Sequence, residues 1–145
     1  PVPRFDFEGL KFVTAHSSVP IMADESCWDS KDALRLVSQR AVDLINIKLM
    51  KCGGLYEAKK ITAIAEAAGV EVMLGCMAEE SGIGVTAAAS LGAALKNITR
   101  ADLDATFSLK ELPYEGGFTV KDTRHLILSS DPGLGIKCLK KEMLA

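Results

Sequence analysis

Apolar positions along the chain fall into short runs, and stretches with helical periodicity separate them. Residues 19–24, VPIMAD, read as a strand and lead into a helix over about 30–40, with apolar positions Ala33, Leu34, Val37 and Ala41. Residues 43–48, DLINIK, form a second strand-like run before a helix near 55–68. Gly69 then stands where a left-handed cap would close that helix. A third run, VEVMLG at 70–75, precedes the alanine-rich GIGVTAAASLGAALK, helical to about Lys96. A short fourth strand is expected at 101–105, ADLDA, and a first helix at 7–16 comes before all of them. Past residue 105 the repeat stops. The tail reads as two short strands, 118–120 and 126–128, followed by a Pro132-Gly133 turn.

Strands alternating with helices at this spacing predict parallel βα units, in either a doubly wound sheet or a βα barrel. The polar residues help to choose. Asp24, Lys48, the Glu79/Glu80 pair and Asp102/Asp104 all fall at or just beyond the C-terminal ends of their strands. That end of a βα barrel is where active-site groups collect. A dinucleotide fold would want GxGxxG after its first strand, and none is present. A whole barrel takes about 250 residues, so four such units amount to half of one. The expectation is an α/β chain with a partial barrel over 1–105 and a separate C-terminal segment over 106–145. The opening Pro-Val-Pro, loop-like and without Met, adds the expectation that these residues are part of something longer.

Composition narrows the classes. The 145 residues are 48% apolar and 25% charged with a net charge of −2, as expected of one globular unit. Acids and bases are interspersed with no basic run, so nucleic acid is not expected as a partner. No apolar stretch approaches the roughly 20 residues that span a bilayer, and the N-terminus lacks a signal pattern. Cys27, Cys52, Cys76 and Cys138 lie far apart without a CxxC pair, which speaks against a zinc site and for a reduced, cytoplasmic setting.

Several of the polar residues carry more than one reading. Period-2 alternation puts Leu44, Asn46 and Lys48 on one strand face and Ile45 and Ile47 on the other, so Lys48 would stand in the barrel mouth. A lone lysine is more often a snorkelling surface group. Lys51, three residues on, reads as an ordinary surface lysine. Asp24 shares a face with Met22 and points into the same space, although Asp24-Glu25-Ser26 also reads as a turn or helix-cap cluster. Asp102 and Asp104, two apart on a strand, would lie on one face and repel unless a cation sits between them. A metal, a substrate ammonium or a basic side chain would serve, and so would solvent. Glu79 and Glu80 could complement a helix dipole. Met73 and Met77 read as packing, His16 and His125 as surface or helix-end groups, and Gly53-Gly54 as a turn able to cradle an anion.

Together the motifs are more specific than any of them singly. PIMADES, NIKLMKCGG, LGCMAEES, ITRADLDA and PGLGI occur in that order over essentially the whole chain. This resembles the C-terminal part of an enolase-superfamily enzyme of the muconate-lactonizing subgroup, and within it the dipeptide epimerases of the L-Ala-D/L-Glu type. The resemblance implies the C-terminal half of a (β/α)7β TIM-type barrel, from the fourth-strand loop through the eighth strand. A short β tail would return toward a capping domain. It also implies an isomerase that moves the α-proton of a dipeptide through an enediolate, with Mg²⁺ as cofactor. Asp24 would be a metal ligand, Lys48 the acid/base on one face, and Asp102 and Asp104 the holders of the substrate's α-ammonium. Cys76, Met77 and Glu80 would contact substrate. GCMAEES carries one residue more than the family's motif, so Glu79 competes with Glu80 for that last role.

On the same resemblance the other metal ligands and the opposing lysine would lie upstream, and the chain alone would be inactive. A muconate cycloisomerase or an o-succinylbenzoate synthase is the alternative within the superfamily. Outside it, the alternative is a non-catalytic half-barrel assembling with a partner. Self-association into a homo-oligomer is left open.

Overall fold

The computed structural model describes residues 1–140. Residues 141–145, the end of the expected C-terminal segment, lie outside the described residues. Helix α1 (Phe7–His16) is followed by three strand–helix units: β1 (Met22–Ala23) with α2 (Ser30–Ser38), β2 (Leu44–Ile47) with the single turn α3 (Leu49–Cys52) and α4 (Leu55–Ala67), and β3 (Glu71–Gly75) with α5 (Gly82–Ala94). Strand β4 (Ile98–Asp102) and a 3-10 turn (Ala105–Ser108) close the repeat. The four strands form one sheet in the order β1-β2-β3-β4, and every pair is parallel.

Local chemistry sets the boundaries. The Asp6 carboxylate accepts the Gly9 N–H at 2.8 Å and starts α1. Asp29 does the same for α2 by accepting from Lys31 and Asp32, and Ser81 caps α5 by accepting from Gly84. Gly69, at φ +70°, follows the end of α4 in the left-handed conformation expected of it. Glu57 on α4 accepts the Ser30 N–H at 2.8 Å, which ties the start of α2 to its neighbour.

The core lies between the sheet and the helices. Ile45, Ile47, Val72 and Leu74 meet Leu36, Ile61 and Val85, all fully buried. The apolar stripe of α2 differs from its expected positions: Ala33 and Leu36 are buried, whereas Leu34 is 56% exposed. The helix is rotated so that Leu36, not Leu34, points into the core. Strand β1 is shorter than its apolar run, because only Met22 and Ala23 pair with β2. Strand β4 also sits earlier than 101–105, and its exposed, polar Thr99 and Arg100 hide it from a hydrophobic pattern.

Beyond the repeat, β6 (Phe118–Lys121) and β7 (His125–Leu128) form an antiparallel hairpin at the two expected strands. A second pair, β5 (Tyr114–Gly116) with β8 (Ile136–Leu139), was not expected. Strand β4 is an edge of the parallel sheet, and an open groove of about 680 Å³ separates it from the hairpin. His125 lines this groove, while His16 ends α1 with its ring stacked on Phe12.

Candidate active site

The parallel register places Asp24, Lys48, Cys76 and Asp102 at one end of the sheet, each at or just past the C-terminal end of its strand. Asn46 leads to the first pair. It lies on the face opposite Ile45 and Ile47, is buried, and donates through Nδ2 to Asp24 Oδ2 at 3.2 Å. Lys48 leaves the same face and reaches the same oxygen, with Nζ 2.8 Å from Asp24 Oδ2 and 3.8 Å from Glu25 Oε1. The lysine that alternation puts in the barrel mouth thus spans to the neighbouring strand's carboxylate.

Lys51 differs from its expected place on the surface. Its side chain is 3% exposed, and Nζ is 2.7 Å from Asp24 Oδ1. It also donates to the Asp24 main-chain carbonyl, and to the Asn46 carbonyl at 3.0 Å. The cause is α3, which begins at Leu49 and turns the chain back under the strand end. Residues three apart on a helical turn share a side, so Lys51 follows Lys48 toward Asp24. That spacing was the available signal.

The electrostatics follow from this cluster. Burial pushes the Asp24 carboxyl up, but hydrogen bonds and charge from Lys48 and Lys51 outweigh it and hold the group below its ordinary 3.8. The hydrogen bond to Asp24 raises the Lys48 ammonium above its ordinary 10.5, with burial opposing. In this arrangement Asp24 holds Lys48 as an ammonium. To act as a base it must be drawn away from Asp24.

Asp24 fits a hard divalent cation by donor type: a carboxylate at a strand end, 29% exposed, with one oxygen already oriented by Lys51. It would supply one ligand only. Among the described residues no three His, Cys, Asp or Glu side chains converge.

The second group of side chains sits at β3 and β4. Asp102 ends β4 and Asp104 is the residue just before the 3-10 turn, so the two do not share a strand as expected. Buried Leu103 lies between them, and both aspartates are exposed and line the groove beside β4. The Cys76 thiol bridges this turn, 3.3 Å from the Asp102 carbonyl and 3.7 Å from Asp104 Oδ1. Burial pushes that thiol up, so at neutral pH it stays protonated and can donate. Glu80 is buried and accepts the Met77 N–H at 3.0 Å, which folds the 76–81 loop over itself. Glu79 stands beside it in a left-handed conformation, exposed. Met77 is half exposed rather than packed. Gly53 and Gly54 link α3 to α4 at φ +84° and +117°, which explains both glycines without a ligand.

Gly75 is held by this geometry. A Cβ there would lie 2.6 Å from Asn46 Oδ1. Gly75→Ala is expected to push Asn46 off Asp24 and to lower stability by about 1–3 kcal/mol. Urea unfolding of the two chains measures the loss, and Asn46→Ala added to Gly75→Ala should recover part of it.

Comparison with known proteins agrees with this architecture. The family model for enolase C-terminal domain-like proteins matches residues 1–142. The hydrophobic dipeptide epimerase of Enterococcus faecalis is 60% identical over 136 residues, which is 94% of this chain and 38% of that protein. The L-Ala-D/L-Glu epimerase of Bacillus subtilis is 48% identical over 136 residues, 94% of this chain and 37% of that protein. Among solved structures, the Enterococcus faecalis dipeptide epimerase complexed with Mg and L-Leu-L-Tyr superposes with a TM-score of 0.91 at 59% identity. That match covers 95% of this chain and 39% of the solved one. The chain therefore spans a little over a third of the length of these relatives. No helix among the described residues is long and apolar enough to cross a membrane.

Proposed function

The chain belongs to the enolase C-terminal domain-like family, and on that premise we propose that it supplies one half of the active site of a Mg²⁺-dependent dipeptide epimerase. The observation that carries the reading is the Lys48–Asp24 pair, a 2.8 Å contact joining neighbouring parallel strands at their C-terminal ends. In this reading the barrel mouth forms there, and sequence or a partner outside these residues supplies the remaining ligands and the opposing base.

The reaction is the one named for the relatives, and the groups present suit it. A dipeptide's α-proton next to its free carboxylate belongs to the C-terminal residue, and it is too weakly acidic for an unaided lysine. Mg²⁺, when bound, supplies the charge that stabilises the carboxylate as the proton leaves. Asp24 would be one of its ligands. Lys48 Nζ holds or takes the proton on one face of that carbon. Asp102 and Asp104 receive the N-terminal ammonium, whose charge relieves their repulsion, while Cys76 fixes the turn between them. Met77 and Glu80 shape the wall beside it. The cycloisomerase alternative is not favoured, because the relatives compared carry epimerase names. Hydrophobic dipeptides are the first class to test, after the Enterococcus faecalis relative.

A chimera tests the amine contact: residues 1–142 replace the matching segment of the Enterococcus faecalis enzyme, and L-Leu-L-Tyr is compared with its N-acetyl derivative. Asp102→Asn should lower kcat/KM for the free dipeptide by about tenfold to a hundredfold, the worth of a hydrogen bond to a charged group. The acetylated substrate should be poor with or without the substitution. Equal turnover of both substrates would remove the aspartates from amine recognition.

A further inference from the structure

We propose that Lys51 is a positioning residue: a buried ammonium that fixes the Asp24 carboxylate and main chain through Oδ1 and the carbonyl, so that the second oxygen, held by Lys48 and Asn46, faces the barrel mouth. A lysine ammonium has three protons. Here the three have three acceptors: Asp24 Oδ1, the Asp24 carbonyl and the Asn46 carbonyl. The group is therefore saturated and faces no substrate. It is not available as a base.

Division of labour between the two lysines follows. Lys51 takes Oδ1 and is almost wholly buried, whereas Lys48 takes Oδ2 and is 15% exposed. A cation or substrate arriving from the mouth can displace Lys48 without disturbing Lys51. The carboxylate then keeps its rotamer while its outer oxygen changes partner. Two main-chain carbonyls in the same cage, one on each strand end, lock β1 and β2 in register at the point where the site depends on it.

The positioning claim stands on this geometry, and its consequence for the metal rests on the function proposed above. The first arm of the test uses the full 145-residue chain. Lys51→Met, Asp24→Asn and the double variant are unfolded in urea, and the carboxyl carbon of Asp24 is followed by NMR with ¹³C-labelled aspartate, assigned through Asp24→Asn. Lys51→Met should shift the Asp24 resonance clearly and leave that of Asp131 in place. The losses of stability should be strongly non-additive, with the double variant no worse than the poorer single one. Additive losses with an unmoved Asp24 resonance would overturn the proposal, since a lysine that only fills space behaves that way. If Lys51→Met fails to fold, Lys51→Gln, which retains two donors, takes its place in the same cycle.

The second arm uses the chimera. Residues that orient a metal ligand typically carry about 10–100-fold in metal affinity or activity. Lys51→Met should raise the Mg²⁺ concentration for half-maximal exchange by about that factor, with kcat at saturating Mg²⁺ nearly kept. An unchanged Mg²⁺ requirement would contradict the proposal. If the unsubstituted chimera shows no Mg²⁺-dependent exchange, the function fails, and the coupling and resonance still decide the role of Lys51.

Discussion

Lys48→Ala should abolish epimerisation, by about 10³-fold or more, while leaving the chain folded. A base on one face of a carbon can remove a proton only from the configuration whose C–H bond points toward it. Loss of Lys48 should therefore stop exchange of solvent deuterium into one epimer and spare exchange into the other, which an opposing base would serve. General acid–base catalysis is worth about 10²–10⁴-fold, and epimerisation needs both faces. Lys51 cannot substitute, because its three donors are already engaged. The structural cost is small, since Asp24 keeps Lys51 as a partner at 2.7 Å. Chiral separation of deuterated product from the chimera checks this. Equal loss on both epimers would show that Lys48 is structural rather than face-specific.

Asp24→Asn is expected to have the second largest effect, on stability as well as activity. It removes a carboxylate that faces two ammonium groups, one of them almost wholly buried. Breaking a buried ion pair from one side costs about 3–5 kcal/mol. The 29% exposure of Asp24 lets water offset part of this, so a loss of about 2–3 kcal/mol is expected at pH 7. The sign with pH follows from the depressed carboxyl. Its folded pKa lies below the ordinary 3.8, so its contribution is present above that value and is lost as pH falls through the folded pKa. Wild type and Asp24→Asn should therefore differ most near neutrality and converge in strong acid. Urea midpoints at several pH values measure the gap. A gap that widens on acidification would contradict the assignment.

How much of this was legible depended on where the information lay. The βα units were readable because their cores are local and periodic: Ile45 and Ile47 alternate with Asn46, and Gly69 ends α4. The direction of the strand-end side chains could be read for Asp24 and Lys48, which meet as alternation requires. Lys51 could not be read this way, because a strand pattern does not announce that a helical turn begins at the next residue. Asp104 left its strand for a similar reason, with the 3-10 turn starting at Ala105. Strands β5 and β8 pair across the intervening residues 117–135 through Gly116 and neighbours that are mostly exposed, so no alternation marked them. In each case the missed feature depends on a contact or a turn that hydrophobic period does not encode.

The central claim is that these residues carry half of a Mg²⁺-dependent proton-transfer site. The most direct measurement incubates the chimera with L-Leu-L-Tyr in deuterium oxide, with Mg²⁺ or with a chelator, and follows deuterium at the tyrosine α-carbon by mass spectrometry. Mg²⁺-dependent exchange, lost on chelation and lost from one epimer with Lys48→Ala, is the predicted result. Exchange that survives chelation, or no exchange from a folded chimera, would contradict it.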